Sequence, residues 1–245
     1  MTPTLSIILP TYNEAGNILT LLAELERHVV VPCLDIIVVD DDSPDLTWQI
    51  ALEYAKTHPA VRVLRRTEDR GLVKAINAGL AAAKAPLVLW MDADLSMPPD
   101  RIPALLAAID AGADVAVGSR YVEGGGDARS VSTHLSVQKL LSKVLSTLGS
   151  LMLGCQFRDW SSGFIVLRRE LLDGYTLRGD YGEYFIDLIF HLVRKRGARI
   201  VEVPYTLTPR IHGESKTATN LWGFVRRGRH YLSTLWRVRF GASTQ

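Results

Sequence analysis

Leu87-Val88-Leu89-Trp90-Met91-Asp92-Ala93-Asp94-Leu95-Ser96 decides the architecture of this chain. Five apolar residues without polar alternation read as a strand buried on both faces. That strand runs straight into two carboxylates spaced two apart. One aspartate after a strand is an ordinary turn residue. Two concentrate negative charge where ligands of parallel sheets sit, beyond the carboxyl ends of the strands.

The same grammar recurs outward from this stretch. Residues 5–9 form an apolar strand ending in Pro10-Thr11-Tyr12-Asn13-Glu14, and residues 36–39 end in Asp40-Asp41-Asp42-Ser43-Pro44-Asp45. Strands are also expected at 61–64, 115–117 and 200–204. Between them, helices are expected at 18–29, 72–84, 98–111 and 181–196. A further helix is expected to open at Ser43-Pro44, with serine as cap and proline in the first turn. Short apolar strands alternating with amphipathic helices predict an α/β fold, a mostly parallel sheet covered on both faces. Three polar strand ends then converge on one site. No G-x-G-x-x-G follows the first strand and no G-x-x-x-x-G-K-[ST] occurs, which excludes dinucleotide oxidoreductases and P-loop NTPases.

The 245 residues, 47% hydrophobic and 22% charged, suit one catalytic domain with an appendage. Residues 1–216 are read as that domain and residues 217–245 as a separate segment. No run of eighteen apolar residues exists, and Ile7-Ile8-Leu9 is too short for a signal h-region. Cys33 and Cys155 form no metal pair and read as buried thiols of a reducing compartment. A cytoplasmic location follows as an expectation. No nucleic-acid partner is expected, and the oligomeric state is left open. Charge is unevenly spread. Six cations and no acid follow Glu214, leaving 22 basic against 26 acidic residues before them.

Asp92 and Asp94 suit a hard divalent cation, since Mg²⁺ and Mn²⁺ accept one or two carboxylates together with substrate phosphate oxygens. A capped turn with solvated acids is the bland alternative for so short a motif. Of the three consecutive aspartates 40–42, one should face a ligand, while Ser43 and Asp45 suit helix capping. Arg120 in Gly118-Ser119-Arg120-Tyr121 lies on the same rim, and Arg210 and Lys216 bracket Gly213; arginine forks suit phosphate oxygens. His58, His191 and His230 read as structural or surface residues.

These segments, with Ser162-Gly163-Phe164 and residues 210–216, resemble in order those of dolichol-phosphate mannose synthases. Those enzymes are polyprenyl-phosphate members of the family-2 glycosyltransferases with the GT-A fold, and the resemblance spans about residues 4–216. It implies inverting transfer of mannose from GDP-mannose to a polyprenyl (dolichyl) phosphate, with Mg²⁺ or Mn²⁺. By the same resemblance Pro10, Tyr12, Glu14, Val39 and Asp41 would line the nucleoside pocket. Asp92, Ala93 and Asp94 would hold the metal-diphosphate, and Arg120, Arg210 and Lys216 the phosphates; Ser96 and Ser142 complete the substrate-binding set. Asp92, Asp94 and Arg120 are the expected catalytic residues. Two segments depart from the pattern. Gln138 stands where relatives carry an arginine four residues before Ser142, leaving Lys139, Lys143 or Arg129 to replace it. Residues 180–187 lack the glycine-aromatic-glutamate pattern, with Asp187 as the nearest counterpart.

An acceptor phosphate fits this picture chemically. Its second pKa is near 6, so at neutral pH it is already a nucleophile and needs cations more than a base. From Asn220 onward apolar residues recur at helical spacing among arginines, which predicts an amphipathic helix lying on a membrane interface or docked on the domain. A peripheral enzyme at the cytoplasmic face of a membrane is the expectation. The same chemistry with another nucleotide sugar, such as UDP-glucose, and a non-catalytic nucleotide-sugar-binding partner of a membrane complex are the alternatives.

Overall fold

The computed structural model describes residues 4–129, 146–147, 149–150, 154, 156–211 and 221–240, with the backbone alone for 221–228 and 232. The expected alternation is present. The strands are β1 (Leu5–Thr11), β2 (Leu34–Asp40), β3 (Val61–Arg65), β4 (Leu87–Trp90), β5 (Val115–Ser119), β6 (Gly126–Asp127), β7 (Ile165–Arg168), β8 (Ile200–Pro204) and β9 (Thr206–Leu207). The helices are α1 (Ile18–His28), α2 (Thr47–Ala55), α3 (Leu72–Ala82), α4 (Ile102–Asp110), α5 (Tyr184–Phe190) and α6 (Leu221–Phe240). A 3₁₀ turn, Pro99–Arg101, leads into α4, and a π-helical turn, His191–Lys195, prolongs α5.

Seven strands form one sheet in the order β3-β2-β1-β4-β7-β5-β8. All neighbours are parallel except β7, which runs antiparallel to both β4 and β5. The sheet is therefore mostly parallel, as expected. The antiparallel insertion was not foreseen, because the apolar run Ile165-Val166-Leu167 carries no local mark of direction. Alternation along β1 sends Leu5, Ile7 and Leu9 into a core under α1 and α4. Ile8 joins the opposite core with α3 and α5. α3 lies so close to β1 that a Cβ on Gly79 would collide with Ile8.

The strand order reverses between β1 and β4, so the crevice opens where Tyr12, Asn13, Asp92 and Asp94 emerge. Non-glycine residues at positive φ gather on this edge: Asn13, Asp42, Leu46, Asp69 and Leu95 all follow carboxyl ends of β1 to β4. Such backbone is costly and persists where surrounding contacts over-determine it.

Ser43 does not cap a helix. Asp40 captures both its amide and its hydroxyl at 2.7 Å, which folds the turn back, and α2 begins only at Thr47 after Leu46 at φ 65°. Asp45 does support the helix start, accepting the Thr47 amide at 3.1 Å. The serine-rich helix expected near 136–153 lies largely outside the described residues, as do Gln138, Lys139, Ser142, Lys143, Cys155 and Lys216. Cys33 is a half-buried free thiol. No helix among the described residues is long and apolar enough to cross a membrane.

Candidate active site

The turns after β1 and β2 are stitched into one wall. Thr11 Oγ1 donates to Asp40 at 2.7 Å, the Asn13 amide to Ser43 Oγ at 3.0 Å, and the Glu14 amide to Thr47 Oγ1 at 2.9 Å. The three aspartates divide their work. Asp40 is wholly buried and organises the turn. Asp41 accepts from Arg66 Nη1 at 2.7 Å and from the Gly71 amide at 2.6 Å. Burial pushes the Asp41 carboxyl up, and the Gly71 amide and Arg66 oppose that shift. Asp42 sits between Arg65 and Arg70. Segment 65–71 is thus drawn over the end of β2 by acid–arginine contacts that no short motif announces.

At the end of β4 the two acids are treated differently. Asp94 is buried; its Oδ1 accepts the Ser96 amide at 3.0 Å and its Oδ2 accepts Arg210 Nε at 2.8 Å. Arg210 is delivered there by a clamp. The Thr208 amide donates to Ser96 O at 3.0 Å, and Thr208 Oγ1 to Leu95 O at 3.1 Å. Asp92, half-buried, has no hydrogen-bond partner for its carboxylate among the described residues. Burial first, then the charge of Asp94, push the Asp92 carboxyl up to about 7, against the pull of Arg210. Below it Trp90 Nε1 donates to the buried Tyr184 hydroxyl at 2.9 Å, which ties α5 to the floor of the site.

Two hard carboxylates crowded together, one of them without a partner, fit a divalent cation: the charge is uncompensated and the oxygens suit Mg²⁺ or Mn²⁺. Among the described residues no third acid, histidine or cysteine joins them. The remaining ligands would come from water and from the phosphates of a bound substrate.

Residues 6–176 match the family model described as glycosyl transferase family 2. The chain belongs to that family. Among relatives of this glycosyltransferase, the undecaprenyl-phosphate mannosyltransferase of Micrococcus luteus is 36% identical over 247 residues, covering 96% of this chain and 98% of that protein. The polyprenol monophosphomannose synthase of Mycolicibacterium smegmatis is 38% identical over 217 residues, 86% of this chain and 79% of that one. The dolichol-phosphate mannosyltransferase of Pyrococcus furiosus is 38% identical over 213 residues, and the match spans 58% of its length. Among solved structures, glucosyl-3-phosphoglycerate synthase from Mycobacterium tuberculosis, in complex with Mn²⁺, UDP and glucosyl-3-phosphoglycerate, superposes with a TM-score of 0.73 at 22% identity. It covers 99% of this chain and 82% of its own. The same synthase was also crystallised with Mg²⁺ and UDP. That likeness carries the fold.

Several residues expected at the site of this glycosyltransferase occupy particular places. Tyr12 is 40% exposed at the crevice, and Pro10 is half-buried beneath it. Glu14 is buried with its carboxylate on Asn17 Nδ2 at 2.7 Å. The side chains of Val39 and Ala93 lie in the core, so only their backbone faces the rim. Arg120 is not a free cation. Its side chain is buried in an ion pair with wholly buried Asp159, Nη2 to Oδ1 at 2.6 Å and Nε to Oδ2 at 2.8 Å. Asp159 heads the D-W-S-S-G-F segment, yet a lone acid 39 residues from its arginine gives no local signal. Asp187 stands away from the strand-end rim: it accepts the Tyr175 hydroxyl at 3.0 Å and lies 3.7 Å from Arg237 of α6.

Proposed function

We propose that this chain transfers mannose from GDP-mannose to a polyprenyl phosphate, with inversion, at the cytoplasmic face of a membrane. The observation that carries the reading is the Asp92/Asp94 pair at the sheet's switch point with Arg210 seated on Asp94. Relatives named as mannosyltransferases of undecaprenyl and dolichol phosphates, and as a polyprenol monophosphomannose synthase, support the sugar and the class of acceptor.

The chain's own residues do most of the work by placement. Asp40, Ser43 and Thr47 hold the turn that receives the nucleoside, with Tyr12 and Asp41 at its edge. Arg210 is close enough to the acids to follow negative charge from carboxylate to phosphate. A divalent cation held by Asp92 and Asp94 would offset charge on the departing nucleoside diphosphate. The acceptor monoester attacks without a strong base, so no histidine is needed.

α6 supplies the membrane contact in this reading. Trp236 is 64% exposed and Phe240 56%; their rings pack together at 4.5 Å, with Arg239 over Phe240. An aromatic pair flanked by arginines suits the lipid headgroup boundary.

The test is incubation of the protein with Mn²⁺, polyprenyl phosphate and a panel of labelled nucleotide sugars, followed by lipid extraction. Label is expected in the lipid from GDP-mannose. Label from UDP-glucose alone would replace the donor, and no label from any sugar would overturn catalysis.

A further inference from the structure

A cavity of about 400 Å³ opens beside the carboxyl end of β5. Arg120, Ser146, Thr147, Ser150 and Arg158 are among the residues that line it, and none of the lining residues is acidic. One carboxylate sets both arginines. Glu202 on β8 accepts the amide of Arg158 at 2.8 Å and that of Asp159 at 3.0 Å. The segment so fixed points in two directions. Asp159 turns inward and grips Arg120 at its backbone amide, 2.9 Å, as well as at Nε and Nη2. Arg158 turns outward; it is exposed, and among the described residues its guanidinium has no carboxylate partner.

Two further groups are left over. The Nη1 of Arg120 carries no hydrogen bond among the described residues. The Ser146 hydroxyl is buried, in a residue only 5% exposed, and has no partner. An unpaired buried hydroxyl is costly, and a ligand oxygen would satisfy it. A buried Arg–Asp pair is not a requirement of stability either, since apolar residues of similar volume often serve as well. What the Asp159–Arg120 pair does supply is a guanidinium held in one orientation at a cavity wall.

We propose that Arg158 and the Ser146 hydroxyl, together with Arg120, form a subsite for the phosphate monoester of the lipid acceptor, and that Glu202 is the positioning residue that presets both arginines. The assignment to an acceptor lipid rests on the function proposed above. A phosphate dianion presents three acceptor oxygens, which two guanidinium forks and a hydroxyl match. The acids that place the arginines have their oxygens turned to backbone amides and to Arg120, behind the cavity wall.

The experiment measures binding of inorganic phosphate, a short-chain isoprenyl phosphate and GDP to the full chain, its Arg158→Gln variant and its Glu202→Gln variant, alongside melting temperature and steady-state kinetics. Arg158→Gln is expected to keep its Tm and GDP affinity while both phosphates bind roughly ten-fold more weakly, the loss of one charge-assisted contact. Its KM for the lipid acceptor should rise, and Arg158→Lys should recover part of the loss. Unchanged affinity for the isoprenyl phosphate in Arg158→Gln overturns the subsite. Weakened GDP binding in its place would give the cavity to the donor diphosphate and overturn it as well. Weaker inorganic phosphate with an unchanged lipid KM would make it a free-phosphate site, against the proposal. Glu202→Gln should raise the acceptor's KM and leave the donor's; an equal rise in both makes Glu202 merely structural. If the wild type makes no mannosyl lipid, the proposed function falls, while the isoprenyl phosphate titration still decides the subsite.

Discussion

Asp92 carries its charge against both burial and the neighbouring Asp94. Removing that charge relieves repulsion in the metal-free protein. Asp92→Asn is therefore expected to keep or raise the Tm while transfer falls to background, and Asp94→Ala to abolish transfer with the fold intact. EDTA should act on the wild type as these variants do. Full transfer in EDTA, or in both variants, would remove the metal from the mechanism. The two arginines of the rim should separate. Arg120→Ala leaves a wholly buried Asp159 without its cation, a loss of about 3–5 kcal/mol. Arg210 is partly exposed, so its pair with Asp94 contributes at most about 1 kcal/mol to folding, whereas a phosphate contact is worth roughly 1.5–3 kcal/mol. Thermal melts and kcat/KM on both variants test this. An Arg210→Ala protein that melts early but works normally while folded would show a structural arginine.

At the scale of elements, the seam between α5 and α6 is the most informative. Leu235 is wholly buried, and Tyr231 and Val238 pack against the same core as α5. Arg237 faces Asp187 across the seam. Gly182, just before α5, admits the Tyr231 hydroxyl where a Cβ would collide with it. Gly182→Ala should therefore lift α6 locally. The expected readout is faster proteolysis or amide exchange across residues 229–240, with GDP affinity unchanged. Unaltered protection of α6 would mean that its docking does not depend on this close approach. Helix α6 thus has a docked side, and its Trp236 and Phe240 remain outside it.

For the whole molecule, charge and greasiness are segregated. The body before residue 215 is mildly acidic, and the six cations after Glu214 stand without acids. Each cation near an anionic lipid surface contributes on the order of 1 kcal/mol, within a Debye length of about 8 Å. Because Leu235 is buried, deleting α6 is expected to lower the Tm and would confuse docking with lipid binding. The paired substitution Trp236→Ser and Phe240→Ser is the cleaner probe. It should weaken co-sedimentation with anionic vesicles, and transfer to long-chain acceptors, without moving the Tm or transfer to a short soluble acceptor. Equal, salt-insensitive vesicle binding by both proteins would place the lipid contact elsewhere.

The sequence by itself determined the alternation of strands and helices, the burial of the sheet on both faces and the gathering of polar turns at one edge. Those are local properties: runs such as 87–91 are apolar without alternation, and helices 18–28 and 72–82 repeat at helical spacing. The Asp92/Asp94 pair was legible because both acids lie in one strand-end turn. Only the tertiary structure decided that β7 enters backwards between β4 and β5, since strand direction depends on partners far away in the chain. It alone revealed that Ser43 serves Asp40 instead of a helix end, and that the Val39 side chain belongs to the core. It also decided which cations are committed. Arg120 reads as a rim phosphate ligand until Asp159 is brought against it, and Arg210 acquires a partner only when Thr208 clamps the β4 turn. Long-range ion pairs leave no periodicity in a sequence, because Coulomb attraction depends on distance in space and not on spacing along the chain.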